Sequence, residues 1–166
     1  MVGEPRVDAE GRFPTVGFER RVELELPFAA TQVCPLFEPS GRNLLYEWWE
    51  PTVLRPARGQ TLEGLVTVST LHESHEVFLV VTEHEPERGH LQYMVLWDDF
   101  ELQRVDITCV EGASSASTKV EWLERNAGLH DEGVSMVSSF VMGGALDRVV
   151  ERYGDNVEKT LRTADR

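Results

Sequence analysis

Cysteine is scarce in this chain: only Cys34 and Cys109 among 166 residues, each inside an apolar stretch and neither in a CxxC pair. Two cysteines are too few for a disulfide scaffold, so the expectation is a pair of buried thiols in a reducing cytosol. Basic residues are also few, 16 against 29 acidic, leaving a net charge of −13. Such a chain repels phosphate backbones, which argues against nucleic acid or an anionic membrane surface as a main partner. No apolar run reaches the roughly 18 residues needed to cross a bilayer, and no early segment has the basic-then-apolar order of a secretory signal. A soluble cytoplasmic protein without membrane insertion is therefore expected.

The common catalytic signatures are missing too. There is no G-x-S-x-G elbow, no G-x-G-x-x-G and no Walker loop, and Cys34 lacks a basic neighbour to activate it. His72 and His75 are spaced H-x-x-H around Glu73, without the helical H-E-x-x-H arrangement that holds zinc. His84 and His90 lie about nine strand residues away, roughly 30 Å, too far to share a metal with them. These histidines read as solvated turn residues, and no metal or cofactor is expected. The acidic groups Glu83, Glu85, Glu87 and Asp98, Asp99, Glu101 read as solvated turns, not as an acid–base pair.

What is present fits one domain. The apolar share is 41% and the charged share 27%, ordinary for a globular chain. Residues 1–16 mix Gly, Pro and charge without periodicity and read as a flexible tail, leaving 17–166 as the domain. Phe18, Arg20, Val22, Leu24 and Leu26 alternate with charged residues, a strand with one wet face that Pro27 ends. Segments 28–38 and 40–50 read as two short helices, limited by Pro35 and Pro39 and with Ser40 as an N-cap for the second. Pro51 and Pro56 bracket an irregular stretch, 52–59. Five strand-like runs then follow at 62–71, 75–83, 91–97, 101–110 and 117–125, separated by short turn signals. Loops this short require antiparallel neighbours, hence a meander.

The pattern over 131–163 predicts one long helix. Asp131 and Glu132 open it and Arg148, Arg152, Lys159 and Arg162 come later, the charge order the helix dipole favours. On a 100° wheel Met136, Phe140, Gly143, Leu146, Val150, Tyr153, Val157 and Leu161 share a sector. Val134, Val137, Val141 and Ala145 lie nearly opposite, so the half-helix 133–146 is uncharged all round and is expected to be covered on more than one side. Gly143 and Gly144 together cost about 2 kcal/mol in a helix interior relative to alanine. A kink, close backbone packing or room for a ligand would each offset that cost.

Strand, two short helices, long meander, long C-terminal helix: this order resembles the helix-grip fold, the α+β fold of the START/Bet v 1-like (SRPBCC, polyketide cyclase-like) superfamily. The segment PLFEPSGRNLLYEWWEPTVL, residues 35–54, is similar to the P-(x)-G-E-x-x-W-x-x-W-x-P segment of bacterial members, with Arg42-Asn43 where many carry Gly-Glu. The stretch EVFLVVTEHEPERGHLQYMVL is similar to strands of the same proteins, and the resemblance spans about 18–163. It implies a curved seven-stranded antiparallel sheet, although only six runs can be counted. It also implies a cavity between sheet and C-terminal helix that takes a hydrophobic ligand.

Within that frame the aromatics are the candidate lining. Trp48 and Trp49 are adjacent and cannot face one core equally, so one belongs to a rim or lid. Phe78 shares strand parity with Val80, Tyr93 with Trp97, and Trp122 with Val120. If these face inward, Phe78, Tyr93, Trp97 and Trp122 line the concave face opposite Met136 and Phe140, with Trp48 at the rim and Gly144 as cavity floor. Met and aromatics suit an adaptable apolar pocket. Arg20, Arg104 and Glu76 are the polar candidates, Arg104 on the solvent face. Three functions follow: binding of a lipid-like, aromatic or polyketide-like small molecule; a cyclase or dehydratase; or an interaction module whose uncharged half-helix a partner or twin subunit covers.

Overall fold

In this computed structural model residues 17–57, 59, 61–71, 75–98 and 100–164 are described. The expected N-terminal tail, and His72 and Glu73, lie outside them. The first alternating run is β1, Gly17–Leu26, and the meander supplies β3 (Val66–Leu71), β4 (His75–Glu85), β5 (His90–Trp97), β6 (Glu101–Glu111) and β7 (Thr118–Gly128). The seventh strand is β2, Thr52–Arg55, in the stretch read as irregular. All four of its residues are exposed, so no apolar alternation marks it.

The sheet is antiparallel throughout, in the order β1-β7-β6-β5-β4-β3-β2. Its first strand is paired along its whole length with the last, from Gly17 opposite Ala127 to Leu26 opposite Thr118. Short connections explain the rest: Gly89, in the left-handed conformation, turns β4 into β5. A side chain there would run into the Cys109 carbonyl of β6, so the position requires glycine.

In place of two short helices, the segment after β1 forms one turn of helix, α1 (Ala30–Val33), and two 3₁₀ turns, Cys34–Phe37 and Pro39–Leu44. Pro35 and Pro39 each stand in a first turn, where a missing N–H is tolerated, and each prevents the preceding turn from continuing.

The C-terminal helix is two helices. α2 spans Asp131–Met142 and α3 spans Ala145–Ala164, meeting at 61° across Gly143-Gly144. Gly144 sits at φ +68, so among the three offsets for the glycine pair the kink is the one realised. The break also ends the wheel. α3 buries the expected face, Leu146, Val150, Tyr153 and Val157, whereas α2 buries Gly133, Val137 and Val141. Met136 (48% exposed) and Met142 (77%) point outward. The half-helix is thus covered on one side only, contrary to expectation.

No single helix among the described residues is long and apolar enough to cross a membrane.

Cys34 and Cys109 are not free thiols: they form a disulfide across 75 residues, joining the first 3₁₀ turn to β6. Their separation hid this pairing from the sequence, and the argument for a reducing compartment falls with it. Loop-closure entropy for a ring of this size amounts to about 4 kcal/mol. Cys34→Ser with Cys109→Ser should lower unfolding free energy by about 2–4 kcal/mol in urea titrations, and reductant should do the same to the native chain. An unchanged midpoint in both experiments contradicts the cross-link.

Candidate functional site

Register decides which side chains face α3. Across the inner face Tyr93 stands beside Val105, Val105 beside Glu124 and Glu124 beside Arg20, while Leu91, Ile107, Trp122 and Val22 form the next row. Two rows in the other direction bring Trp97 beside Glu101 and Val95 beside Gln103, with Gln103 beside Asn126. The inner face therefore has two halves. Toward the β6 C-terminus it is apolar and covered by α3, with Trp122, Tyr153 and Phe37 ring to ring at 6.0 and 4.7 Å. Toward the β6 N-terminus it carries Glu101, Gln103, Glu124 and Asn126, all buried.

Above this polar half lies Arg42, only 1% exposed. Its guanidinium carbon is 5.0 Å from the Trp49 ring centre, 5.2 Å from Tyr93 and 5.5 Å from Tyr46. Ring faces attract a cation but accept little from its in-plane N–H groups. Accordingly, among the described residues, Arg42 Nε and Nη1 have no hydrogen-bond partner, and neither do Tyr93 Oη, Trp97 Nε1 or Asn126 Oδ1, all buried. A buried donor or acceptor left unpaired costs about 1–3 kcal/mol, so five in one region is unusual for a plain core.

The chain holds Arg42 firmly in place. Tyr153 Oη of α3 donates to the Leu36 carbonyl at 2.6 Å, Asn156 Nδ2 to the Leu44 carbonyl at 2.8 Å, and Trp49 Nε1 to the Pro39 carbonyl at 3.0 Å. The Cys34–Cys109 bridge fixes the start of the same segment.

The two acids below it have displaced titrations. Burial pushes Glu101 up to about 7; Gln103, donating to it at 3.2 Å, opposes this and nearby Glu124 adds to it. Burial also raises Glu124, against the Trp122 Nε1 bond at 2.9 Å, Asn126 and the Arg42 charge. Tyr93 is pushed up to about 12 by burial, with Arg42 pulling the other way.

Of the sequence candidates, Tyr93 and Trp122 face inward and are fully buried, and Trp97 faces inward at the half-buried edge. Trp48 is half-buried, stacked on Tyr46 at 5.3 Å and edge-on to Trp97 at 5.7 Å, while Trp49 is buried; Trp48 is the rim member of the pair. Phe78 is on the outer face. Val77 and Val81 oppose Trp97 and Tyr93, so β4 turns Val77, Leu79 and Val81 inward and Phe78 and Val80 outward. The run VFLVV is apolar at both parities, so its alternation carried no information about its faces. Met136 points to solvent, Phe140 is half-buried, and Gly144 forms the helix break rather than a cavity floor.

Glu101 is no solvated turn: it is 7% exposed and inward. Arg20 forks onto Asp147 of α3, its Nε at 2.7 Å, and Arg104 is on the solvent face as expected. Glu76 is exposed. His84 is not solvated; its Nδ1 accepts from the Leu62 backbone N–H at 2.9 Å and its ring is mostly buried.

The sequence did carry a signal for the polar half. Parity from Val105 and Ile107 continues to Gln103 and Glu101, and from Val120 and Trp122 to Glu124 and Asn126. Arg42, Tyr46 and Trp49 are spaced i, i+4, i+7. A cleft of about 440 Å³ does exist, but at the opposite end of the sheet, between α1, the 86–88 turn and the end of β6. The expected purely apolar chamber beneath α3 is instead filled by rings.

No protein-family model and no curated protein matches the sequence. Solved structures are similar in fold. Norcoclaurine synthase from Thalictrum flavum superposes with a TM-score of 0.66 at 15% identity, over 97% of this chain and 95% of that one. Zhui aromatase/cyclase from Streptomyces sp. R1128 gives 0.65 at 11% identity, over 89% and 98%. Ara h 8.0201 gives 0.57 at 12%, over 85% and 97%. The chain thus has the same helix-grip fold as these proteins.

A carboxyl whose proton is held more tightly in the folded state stabilises the fold fully below its unfolded value near 4.5. That contribution is lost as pH rises through about 7. Glu101→Gln should therefore gain roughly 2–3 kcal/mol over the parent at pH 8 and little at pH 4.5 in urea unfolding. Equal stabilities at both pH values would place Glu101 in water.

Proposed function

We propose that this protein binds a small aromatic molecule over the polar half of its inner face. Arg42, Tyr93, Trp97, Glu101 and Glu124 would contact it, and the Tyr46–Trp48–Trp97 cluster would form the rim. The observation that supports this most is the group of buried, unpartnered donors and acceptors on Arg42, Tyr93, Trp97 and Asn126. Sites for small molecules combine aromatic walls with a few convergent polar groups; this region has both in a closed form, Arg42 being 1% and Tyr93 0% exposed, so entry requires the half-buried Trp48–Trp97 rim to part. A neighbour of the same fold, norcoclaurine synthase, has been crystallised with dopamine and hydroxybenzaldehyde, two aromatic molecules. Trp122, Phe140 and Trp48 remain supporting wall and rim. Phe78, Met136 and Gly144 have no part in the site.

A second reading, a cyclase or dehydratase acting on a bound chain, is favoured by one feature: Glu101, whose affinity for a proton places it near neutrality. A group so poised gives and takes protons at working pH. In that role Glu101 would protonate or deprotonate a ligand held against Trp97, with Arg42 stabilising negative charge on the ligand's oxygen.

The test is tryptophan fluorescence during titration with neutral aromatics (2-naphthol, flavonoids, quinones) and with fatty acids. Saturable quenching by the aromatics at micromolar concentration, weakened at least tenfold by Trp97→Ala, is the expected result. No saturable response to any of them contradicts the reading.

A further inference from the structure

We infer that the ligand carries a carboxylate, and that Arg42 is the residue that recognises it. The inference rests on the polar half being a small-molecule site and goes further by naming the group that site selects.

It begins with charge. A guanidinium stays protonated under all ordinary conditions, so Arg42 carries its positive charge into the interior. Burying an ion unpaired is expensive, and buried charges in proteins are normally paired. Among the described residues no carboxylate lies within ion-pairing distance of Arg42, although other arginines, such as Arg20, Arg21 and Arg125, each have an acidic partner. Three aromatic faces offset part of this cost. They leave Nε and Nη1 without acceptors.

The neighbouring acids do not fill the gap. Glu124 is committed to Trp122 Nε1, and Glu101 to Gln103. Burial pushes both acids up, Glu101 to about 7, and among the described residues neither forms an ion pair with the guanidinium. What the region lacks is one negative charge with more than one acceptor atom, and a carboxylate supplies both. A phosphate dianion would exceed the single positive charge. A cation would meet Arg42 directly. The second unpartnered donor, Trp97 Nε1, stands on the same inner face at the rim, where the ligand's aromatic body would lie.

The experiment compares three probes of one shape by calorimetry at pH 7.5: 2-naphthoate, 2-naphthamide and protonated 2-naphthylmethylamine. In the native chain naphthoate should bind at least tenfold tighter than naphthamide, with the amine weakest. Arg42→Gln should reduce naphthoate to the affinity of naphthamide. Arg42→Lys keeps the charge but loses the planar fork, and should weaken naphthoate several-fold while leaving naphthamide unchanged, so a decision remains even if Arg42→Gln does not fold.

Naphthamide binding as tightly as naphthoate to the native chain overturns the inference and leaves the aromatic site standing, with ordered water then the acceptor for Arg42. A preference that survives in folded Arg42→Gln also overturns it. Failure of all three probes, together with the neutral aromatics, removes the site itself.

Discussion

One arginine, buried on aromatic faces with no carboxylate partner among the described residues, sets the character of this molecule. A guanidinium at 1% exposure is tolerable only where its surroundings compensate it, and here Tyr46, Trp49 and Tyr93 do so in part. Their arrangement requires the 34–46 segment to be held against the sheet. The disulfide, the Tyr153 bond to Leu36 and the Asn156 bond to Leu44 hold it there. Structural restraint and site construction are thus the same set of contacts.

The inner face divides its work along the strands. Where α3 lies on it, the rows are apolar and the rings of Trp122, Tyr153 and Phe37 fill the space; this half supplies the cohesion. At the other end the rows become polar and the covering side chains Trp48, Trp97 and Phe140 are only half-buried. There α2 starts directly against the sheet, its Gly133 and Val134 backbone in close contact with Gly128 of β7, the strand neighbour of Glu101. The Arg42 segment and its aromatics cover Tyr93 from the other side.

How much of this could be read from sequence follows from the same physics. The meander was legible because its strands are separated by short Gly- and Asp-rich turns and most alternate cleanly. β2 was not, because four exposed residues between two prolines carry no buried face. The α3 face was legible and the α2 face was not, since one wheel cannot be carried through a 61° break. Strand parity puts Tyr93, Trp97 and Trp122 on the inner face, where they lie, whereas VFLVV on β4 is apolar at both parities and leaves Phe78 on the outer face against expectation. Glu101 and Glu124 were passed over because acidic residues default to the surface, although the parity of their strands pointed inward. Arg42 was noticed only as a departure from a family pattern, for the same reason. The Cys34–Cys109 pair, 75 residues apart, needs the fold before it can be seen.

The central claim, that Arg42 is buried among rings and lacks a carboxylate partner, is tested most directly by nitrogen-15 NMR of the arginine side chains in the unliganded protein. One Nε–H resonance, lost in Arg42→Lys, should exchange slowly with water and be shifted upfield by the ring currents of Tyr46, Trp49 and Tyr93. An Arg42 signal at the ordinary position with rapid exchange would put the guanidinium in solvent and contradict the account.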